Sequence, residues 1–363
     1  MTRMPAMKKP AHLGRTAAIA LAIALAAAGG ALAHDPEYTS DLGRERCTFT
    51  STGSNPYFPL WPGHALLLEG EEEDEGELVE ISSLNTVLAD TEVVDGVRTR
   101  VYEERESEDG ELVEVSRNFM AYCRETGDVW YFGEDVDIYE DGEIVGHDGA
   151  WRAGVDGAEA GIIMPGNPLV GARYYEENAP GVAEDRAEVV GVGGTRTVPA
   201  GTFEGVVETV GTDALNPAAA DPKAYAPGVG NIADEELELV EITPPPCRPD
   251  DVTHCLNDGR FRVEVEWEDF EGGAGAGMAI LPSDDSGEFW FFNPNNSELL
   301  VKVLDACNVP GSNAFWVFAA GLTNVEVTIT VTDTQTDEFK VYENGLGEPF
   351  QPVLDTSAFD TCP

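Results

Sequence analysis

The residues best suited by type to do chemistry in this 363-residue chain are its histidines and its runs of carboxylates. His34 follows Ala31-Leu32-Ala33, so a cut after Ala33 makes it N-terminal. The α-amine and imidazole of such a residue together chelate copper, and His64, His147 or His254 can supply a further nitrogen ligand in a brace-like site. The plainer alternative is a tail that merely begins with histidine. His147 lies beside Asp148 in Gly146-His147-Asp148-Gly149-Ala150-Trp151, a setting for a base, a metal ligand or a structural turn hydrogen bond. No serine or cysteine nucleophile accompanies it. His34 and His147 are therefore the metal candidates, with copper as the metal.

Glu134, Asp135, Asp137, Glu140 and Asp141 form a carboxylate run that offers calcium, but strand alternation points only Asp135 and Asp137 the same way. A solvated hairpin is the simpler reading. Asp284-Asp285 before Ser286-Gly287 has the same ambiguity. A pair of carboxylates also serves glycoside hydrolysis, yet among 68 acids the sequence selects no pair. Six tryptophans, Trp61, Trp130, Trp151, Trp267, Trp290 and Trp316, offer stacking platforms for a glycan. In Phe289-Trp290-Phe291-Phe292 both faces of a strand are aromatic, which favours a buried core strand over a platform. The serine-hydrolase elbow, the zinc-protease helix, the Walker loop and the EF-hand spacing do not occur. Gly273-Ala274-Gly275-Ala276-Gly277 lacks a βαβ context and reads as a flexible turn.

The setting of these residues is strongly acidic: 68 Asp and Glu against 21 Lys and Arg, a net charge of −47. Arg3, Lys8, Lys9 and Arg15, followed by the apolar run Ala17 to Ala28, read as an export leader covering residues 1–33. Its removal takes four positive charges and moves the net charge to −51. Three lysines then remain, Lys223, Lys302 and Lys340, beside 14 arginines. Such a field repels nucleic acid and anionic membranes. Residues 34–246 hold 47 acids and 12 bases, and residues 247–363 hold 21 acids and five bases, so the bias is even. Evenness fits a halophilic, salt-screened coat better than a local calcium site. No later segment is long and apolar enough to span a bilayer, so no transmembrane anchor is expected after processing.

All six cysteines lie beyond the leader, and an even number in an exported chain favours disulfides. Location and spacing suggest Cys47 with Cys123, Cys247 with Cys255, and Cys307 with Cys362, among fifteen possible pairings. The expected location is periplasmic or extracellular.

The elements that must position these side chains are strands. Asp95-Gly96, Asp109-Gly110, Thr126-Gly127 and Asp141-Gly142 punctuate runs rich in β-branched and aromatic residues between Ile81 and Trp151, predicting a five-stranded meander. A hairpin from Asp185 to Asp213 turns at Pro199-Ala200-Gly201, and strands are expected over 228–232 and 237–242. Glu69 to Glu77 reads as an exposed loop, and Gly161 to Gly181, with three prolines, as irregular chain. Thr243-Pro244-Pro245-Pro246 reads as a stiff linker, dividing the chain into 34–243, 244–246 and 247–363. Beyond it, seven or eight short strands predict a β-sandwich, with Phe289–Phe292 and Ala314–Ala319 buried on both faces. The fold class is thus all-β and mainly antiparallel: a curved sheet or half-barrel followed by a sandwich.

The segments Thr50-Ser51-Thr52-Gly53-Ser54-Asn55-Pro56-Tyr57-Phe58, Tyr131-Phe132-Gly133-Glu134-Asp135-Val136, Pro199-Ala200-Gly201-Thr202-Phe203 and Tyr225-Ala226-Pro227-Gly228-Val229-Gly230 resemble those of a family of uncharacterised exported bacterial proteins. The last two are also similar to segments of lipoprotein-type half-barrels. That resemblance covers 47–242 and implies a curved antiparallel sheet with a concavity suited to an apolar ligand. Residues 255–359, through Leu256-Asn257-Asp258-Gly259-Arg260-Phe261-Arg262-Val263 and Phe289-Trp290-Phe291-Phe292, resemble a module recurrent at the C-termini of secreted bacterial proteins, which implies an accessory role. Neither resemblance brings catalytic residues. The expected function is non-catalytic binding or scaffolding, toward an apolar ligand or an extracellular protein or glycan. The alternatives are a copper protein built on His34, a carboxylate-dependent hydrolase and a calcium binder.

Overall fold

The computed structural model describes residues 38–362, apart from 54, 75, 217–219 and 281–282. The export leader and His34 lie outside the described residues.

A short strand β1 (Phe49–Thr50) leads into a long antiparallel run: β2 (Ala65–Asp74), β3 (Glu77–Val94), β4 (Val97–Glu108), β5 (Glu111–Cys123), β6 (Val129–Glu140) and β7 (Glu143–Gly146). The turns of the meander fall where Asp-Gly pairs stand, and three of them place both residues at positive φ: Asp95 and Gly96, Asp109 and Gly110, Asp141 and Gly142. Such turns match the twist of the strands they join. The acid-rich stretch from Glu69 is not a loop. It forms the tip of the β2–β3 hairpin, with Glu72 opposite Val79 and Glu73 opposite Leu78, because the backbone pairs while the acids stay in water.

After β8 (Trp151–Arg152), three short strands occupy the region expected to be irregular: β9 (Glu159–Met164), β10 (Arg173–Tyr175) and β11 (Glu177–Asn178). The hairpin β12 (Asp185–Val198) and β13 (Gly201–Asp213) turns where expected, and β14 (Asp221–Ala226), β15 (Gly230–Asp234) and β16 (Leu237–Thr243) complete the sheet. β14 carries no strong alternation, so the sequence does not announce it.

These strands form one 16-stranded sheet with β10 and β11 at its two ends. Because β10 and β11 are consecutive in the chain, residues 173–178 bond to β12 on one side and to β9 on the other. The half-barrel is therefore nearly closed. Gly161 permits that closure, since a Cβ there would collide with the Glu176 carbonyl oxygen. Register shifts between Val189 and Thr195 bend the β12–β13 hairpin over β16, where the Ala200 amide donates to the Leu239 carbonyl at 2.9 Å. Phe49 of β1 stands edge-on to Trp130 and Phe132 of β6, at 5.7 and 5.3 Å.

Beyond Pro246 ten strands form two five-stranded sheets. One contains β17 (Thr253–Leu256), β18 (Phe261–Glu268), β19 (Ala274–Ala276), β24 (Glu326–Asp333) and β25 (Phe339–Asn344). The other contains β20 (Met278–Ile280), β21 (Ser286–Trp290), β22 (Leu299–Asp305), β23 (Phe315–Gly321) and β26 (Val353–Phe359). Val263, Val265, Val327 and Ile329 of the first pack with Phe289, Val301, Val317 and Phe359 of the second, which makes the pair a sandwich. β21 and β23 alternate buried and half-buried residues, so they are not buried on both faces as expected. The glycine–alanine run is no flexible turn: Ala274–Ala276 adds to the edge of β18, its small side chains leaving the ladder unobstructed.

The three cysteine pairs stand at disulfide distance in the expected combinations, with Cα separations of 5.1, 5.8 and 5.6 Å. The sandwich meets the sheet through arginines of β4. Arg100 is fully buried, donates to the Ser51 and Ala89 carbonyls at 3.0 and 2.6 Å, and pairs with Asp258 at 2.5 Å. Arg98 reaches the same Asp258 at 3.0 Å and Asp284 at 3.5 Å.

Candidate functional site

The interior of the nearly closed sheet is polar. On β4, Tyr102, Glu104 and Glu106 share one face by strand alternation. Across the ladder they meet Asn118, Ser116 and Glu114 of β5, and Asn118 in turn meets Glu134 of β6. On the far wall, Lys223 and Tyr225 of β14 stand opposite Asp234 and Asn231 of β15. β4 and β14 are separated in the sheet by β3, β2, β16 and β15, yet Glu104 acts electrostatically on both Lys223 and Tyr225. Closure of the sheet through residues 173–178 turns the two walls toward each other around its interior.

Burial sets the electrostatics of that lumen. Glu104 is raised to about 7, first by burial, with the charge of Lys223 opposing the rise, whereas Glu106, further along the same face, is exposed. Glu134 is raised to about 8 by burial and by the like charges of Glu104, Glu114 and Asp185, against a hydrogen bond of 3.1 Å from the Tyr131 hydroxyl. Glu177 is raised well above the carboxylate range by burial and by a hydrogen bond shared with Asp185, while the Trp151 indole donates to it at 2.9 Å. Glu176, only 7 % exposed, is raised to about 8 by burial, opposed by Lys223.

Lys223 sits in the middle of this wall. Its ammonium lies 3.0 Å from Asp234, whose charge is the largest influence raising its pKa. The Lys223 and Asp234 side chains remain 31 % and 28 % exposed, so protein surrounds the groups while the lumen keeps them open to water. Tyr174, Tyr225 and Tyr102 line the same space with rings 5 %, 2 % and 7 % exposed. The Tyr174 hydroxyl is buried with no hydrogen-bond partner. Beside Tyr102, a small cavity of about 10 Å³ is bounded by Phe58, His64, Leu66, Asn85 and Asn231. That volume holds about one water.

The residues singled out by sequence stand elsewhere. His147 lies on an exposed turn, its Nδ1 2.7 Å from the Val136 carbonyl and 3.1 Å from Asp137, the turn bond that was the plain alternative. His64 is buried with Nε2 2.7 Å from the Val229 carbonyl, and His254 lies in the sandwich against Phe289 with Nε2 2.8 Å from the Glu288 carbonyl. Asp135 is taken by Arg152 and Asp137 by Arg117, at 2.6 and 2.9 Å. Asp284 and Asp285 are taken by Arg98 and Lys302. Among the described residues no three His, Cys, Asp or Glu side chains gather at metal-binding distance. Of the aromatic run, Phe289 and Phe291 are core, whereas Phe292 is 52 % exposed and packs edge-on to Trp267 at 4.7 Å.

Of the lumen residues, Glu134 alone stands out in the sequence, and there as part of a solvated run. One signal points to the others: β4 is charged on both faces, so one charged face must turn inward. No protein family, curated protein or solved structure matches this chain.

Proposed function

We propose that this chain is an exported, non-catalytic binding protein, adapted to saline surroundings, that holds a small ligand in the lumen of its nearly closed sheet. The single observation that carries the reading is the Tyr174 hydroxyl, buried in the wall of the sheet with no hydrogen-bond partner. A buried polar group without a partner costs about 1–3 kcal/mol, and more when it is charged. A fold selected for stability alone would place Leu or Val there. A ligand that satisfies this hydroxyl offsets that cost. The lining is carboxylate and tyrosine, so the reading moves away from a purely apolar ligand. The sandwich, held to β4 through Asp258, serves attachment or recognition, and three disulfides fit an oxidising compartment.

A carboxylate-dependent hydrolase is the second reading, favoured by glutamates held near 7 to 8, the range in which acid–base catalysts work. Native mass spectrometry of protein from its own exported fraction separates these readings and reports leader cleavage and bound copper at His34 together. The expected result is a chain beginning at His34 with an adduct that is lost from the Tyr174→Phe/Glu176→Gln variant. An adduct retained unchanged by that variant refutes the lumen as the site. Release of a chemically altered adduct on incubation moves the assignment to the enzyme.

A further inference from the structure

We infer that this chain pairs with a second copy of itself through the sandwich, by the outer face of the sheet β20–β21–β22–β23–β26. This names what the sandwich attaches to and stands apart from the lumen, so its failure leaves the ligand reading untouched.

The first step is a contrast between the two outer faces of the sandwich. Phe261, Val263 and Val265 of β18 are core, so alternation turns Arg262, Glu264, Glu266 and Glu268 to water. β24 adds Glu326, Thr328 and Thr330 to that side. This is the ordinary wet face of an antiparallel sheet. On the other sheet Val301 and Val303 of β22 and Phe315 and Val317 of β23 are core, so Leu300, Leu304, Trp316 and Phe318 point outward. Register sets them side by side, with Leu304 opposite Trp316 and Leu354 of β26 opposite Phe318. Trp290 of β21 shares that side, since Phe289 is core. Leu300 is 44 % exposed and Leu354 72 %. An aromatic and aliphatic outer face beside an acidic one marks a surface that another surface covers.

The second step is charge. The chain carries a net −47, yet the strand residues that point outward here include one cation and one acid, Lys302 and Glu288. Asp355 of β26 turns inward, to the Tyr342 hydroxyl at 3.0 Å. Both charges on the face are already partnered, Lys302 by Asp285 at 2.9 Å and Glu288 by the Ser297 hydroxyl at 2.6 Å. Covering the face therefore leaves no charge buried and alone. A basic partner has the glutamate face of the first sheet to bind. A second copy presents the same apolar centre with balanced charge, and a twofold axis sets such a face against itself. Acids at the rim still repel, over a range that salt shortens to about 3 Å at 1 M.

The third step is size and shape. Five strands about 4.8 Å apart, the longest of seven residues at about 3.3 Å each, make a face about 24 by 23 Å. With side-chain relief that suits a standard interface of about 800 Å² per partner. A glycan needs a flat, open ring. Trp316 and Phe318 instead meet edge-on at 87° with centroids 6.2 Å apart, and the Trp316 indole N–H is engaged by the Ser312 hydroxyl at 3.0 Å. A second sheet face accepts such relief, because stacked sheets interdigitate their side chains.

The test is sedimentation velocity of the full processed chain from about 1 to about 200 µM, at about 0.15 M and about 2 M NaCl. The expected result is a reversible dimer whose dissociation constant falls about fivefold or more at the higher salt. Leu300→Glu/Leu354→Glu sets like charges against each other across the twofold axis and weakens the dimer about a hundredfold or more. Leu78→Glu/Ile144→Glu, the same charge added at two exposed sites of the large sheet, leaves the dimer unchanged. Thermal melting of each variant at low concentration keeps a folding defect distinct. A chain that is monomeric at every concentration and both salts overturns the inference. So does a dimer that the face variant leaves intact, that the control variant weakens equally, or whose affinity stays flat or falls as salt rises. A monomer retarded in native gels containing a neutral polysaccharide gives the face to a glycan and overturns the second copy.

Discussion

Glu176→Gln should stabilise the unliganded protein in a way that depends on pH. In the unfolded chain the carboxyl titrates at its ordinary 4.5, and in the folded lumen at about 8. Between those values the folded state binds more protons than the unfolded state, so stability falls as pH rises across that window. Every tenfold difference in proton affinity between the two states corresponds to about 1.36 kcal/mol. The cost of holding Glu176 in the fold is therefore about 3 kcal/mol at pH 7 and levels off at about 5 kcal/mol above pH 8. Glutamine has nearly the same shape and never ionises, so it escapes that cost. The variant should match the parent near pH 4.5 and exceed it progressively up to pH 8. Tryptophans occur in both the sheet and the sandwich, so bulk fluorescence mixes their unfolding. Hydrogen exchange read on peptides covering 173–178 and 221–234 isolates the lumen wall. A stability difference that stays constant from pH 5 to pH 9, or a variant less stable than the parent at pH 9, refutes the claim that burial desolvates this carboxylate.

Asp258→Asn leaves the fully buried Arg100 without its ion-pair partner, while its bonds to the Ser51 and Ala89 carbonyls remain. Breaking a buried pair costs about 3–5 kcal/mol. Asp258 is 25 % exposed, so a loss of about 2–3 kcal/mol is expected, measured by urea unfolding together with faster proteolysis near Pro244–Pro246. The acidic coat predicts that the melting temperature climbs from about 0.1 M to about 2 M NaCl as screening removes repulsion among surface carboxylates. A melting temperature flat in salt that jumps with micromolar calcium replaces the coat with a metal function.

The sheet was legible wherever turn chemistry announced itself. Asp95-Gly96, Asp109-Gly110 and Asp141-Gly142 admit left-handed backbone at low cost, so these turns of the meander could be placed. Closure was not legible. Residues 173–178 make only short ladders with strands distant in sequence, and the prolines around them advertise irregular chain. The Glu69–Glu77 hairpin was hidden for another reason: a strand with both faces wet carries no apolar alternation, and its backbone pairing leaves no mark on composition. The sandwich could be placed through Phe261 to Trp267 and Val325 to Val331, whose alternation survives in the structure as buried and exposed faces.

The lumen was concealed by the chain's own acidity. In a neutral protein, Glu104 and Glu134 would stand out as charges on strands whose outer faces are already charged. Here the outer faces are equally acidic, and Glu103 of β4 differs from Glu104 only in the side to which alternation turns it. The two populations nevertheless obey different physics. Glu103 takes Arg117 as a partner at 3.3 Å, whereas Glu104 is held near 7 by burial, opposed by the charge of Lys223. Salt that relieves the coat acts weakly on the buried set, because screening requires ions to reach the charges. A saline setting would therefore account for the outer carboxylates and not for the inner ones.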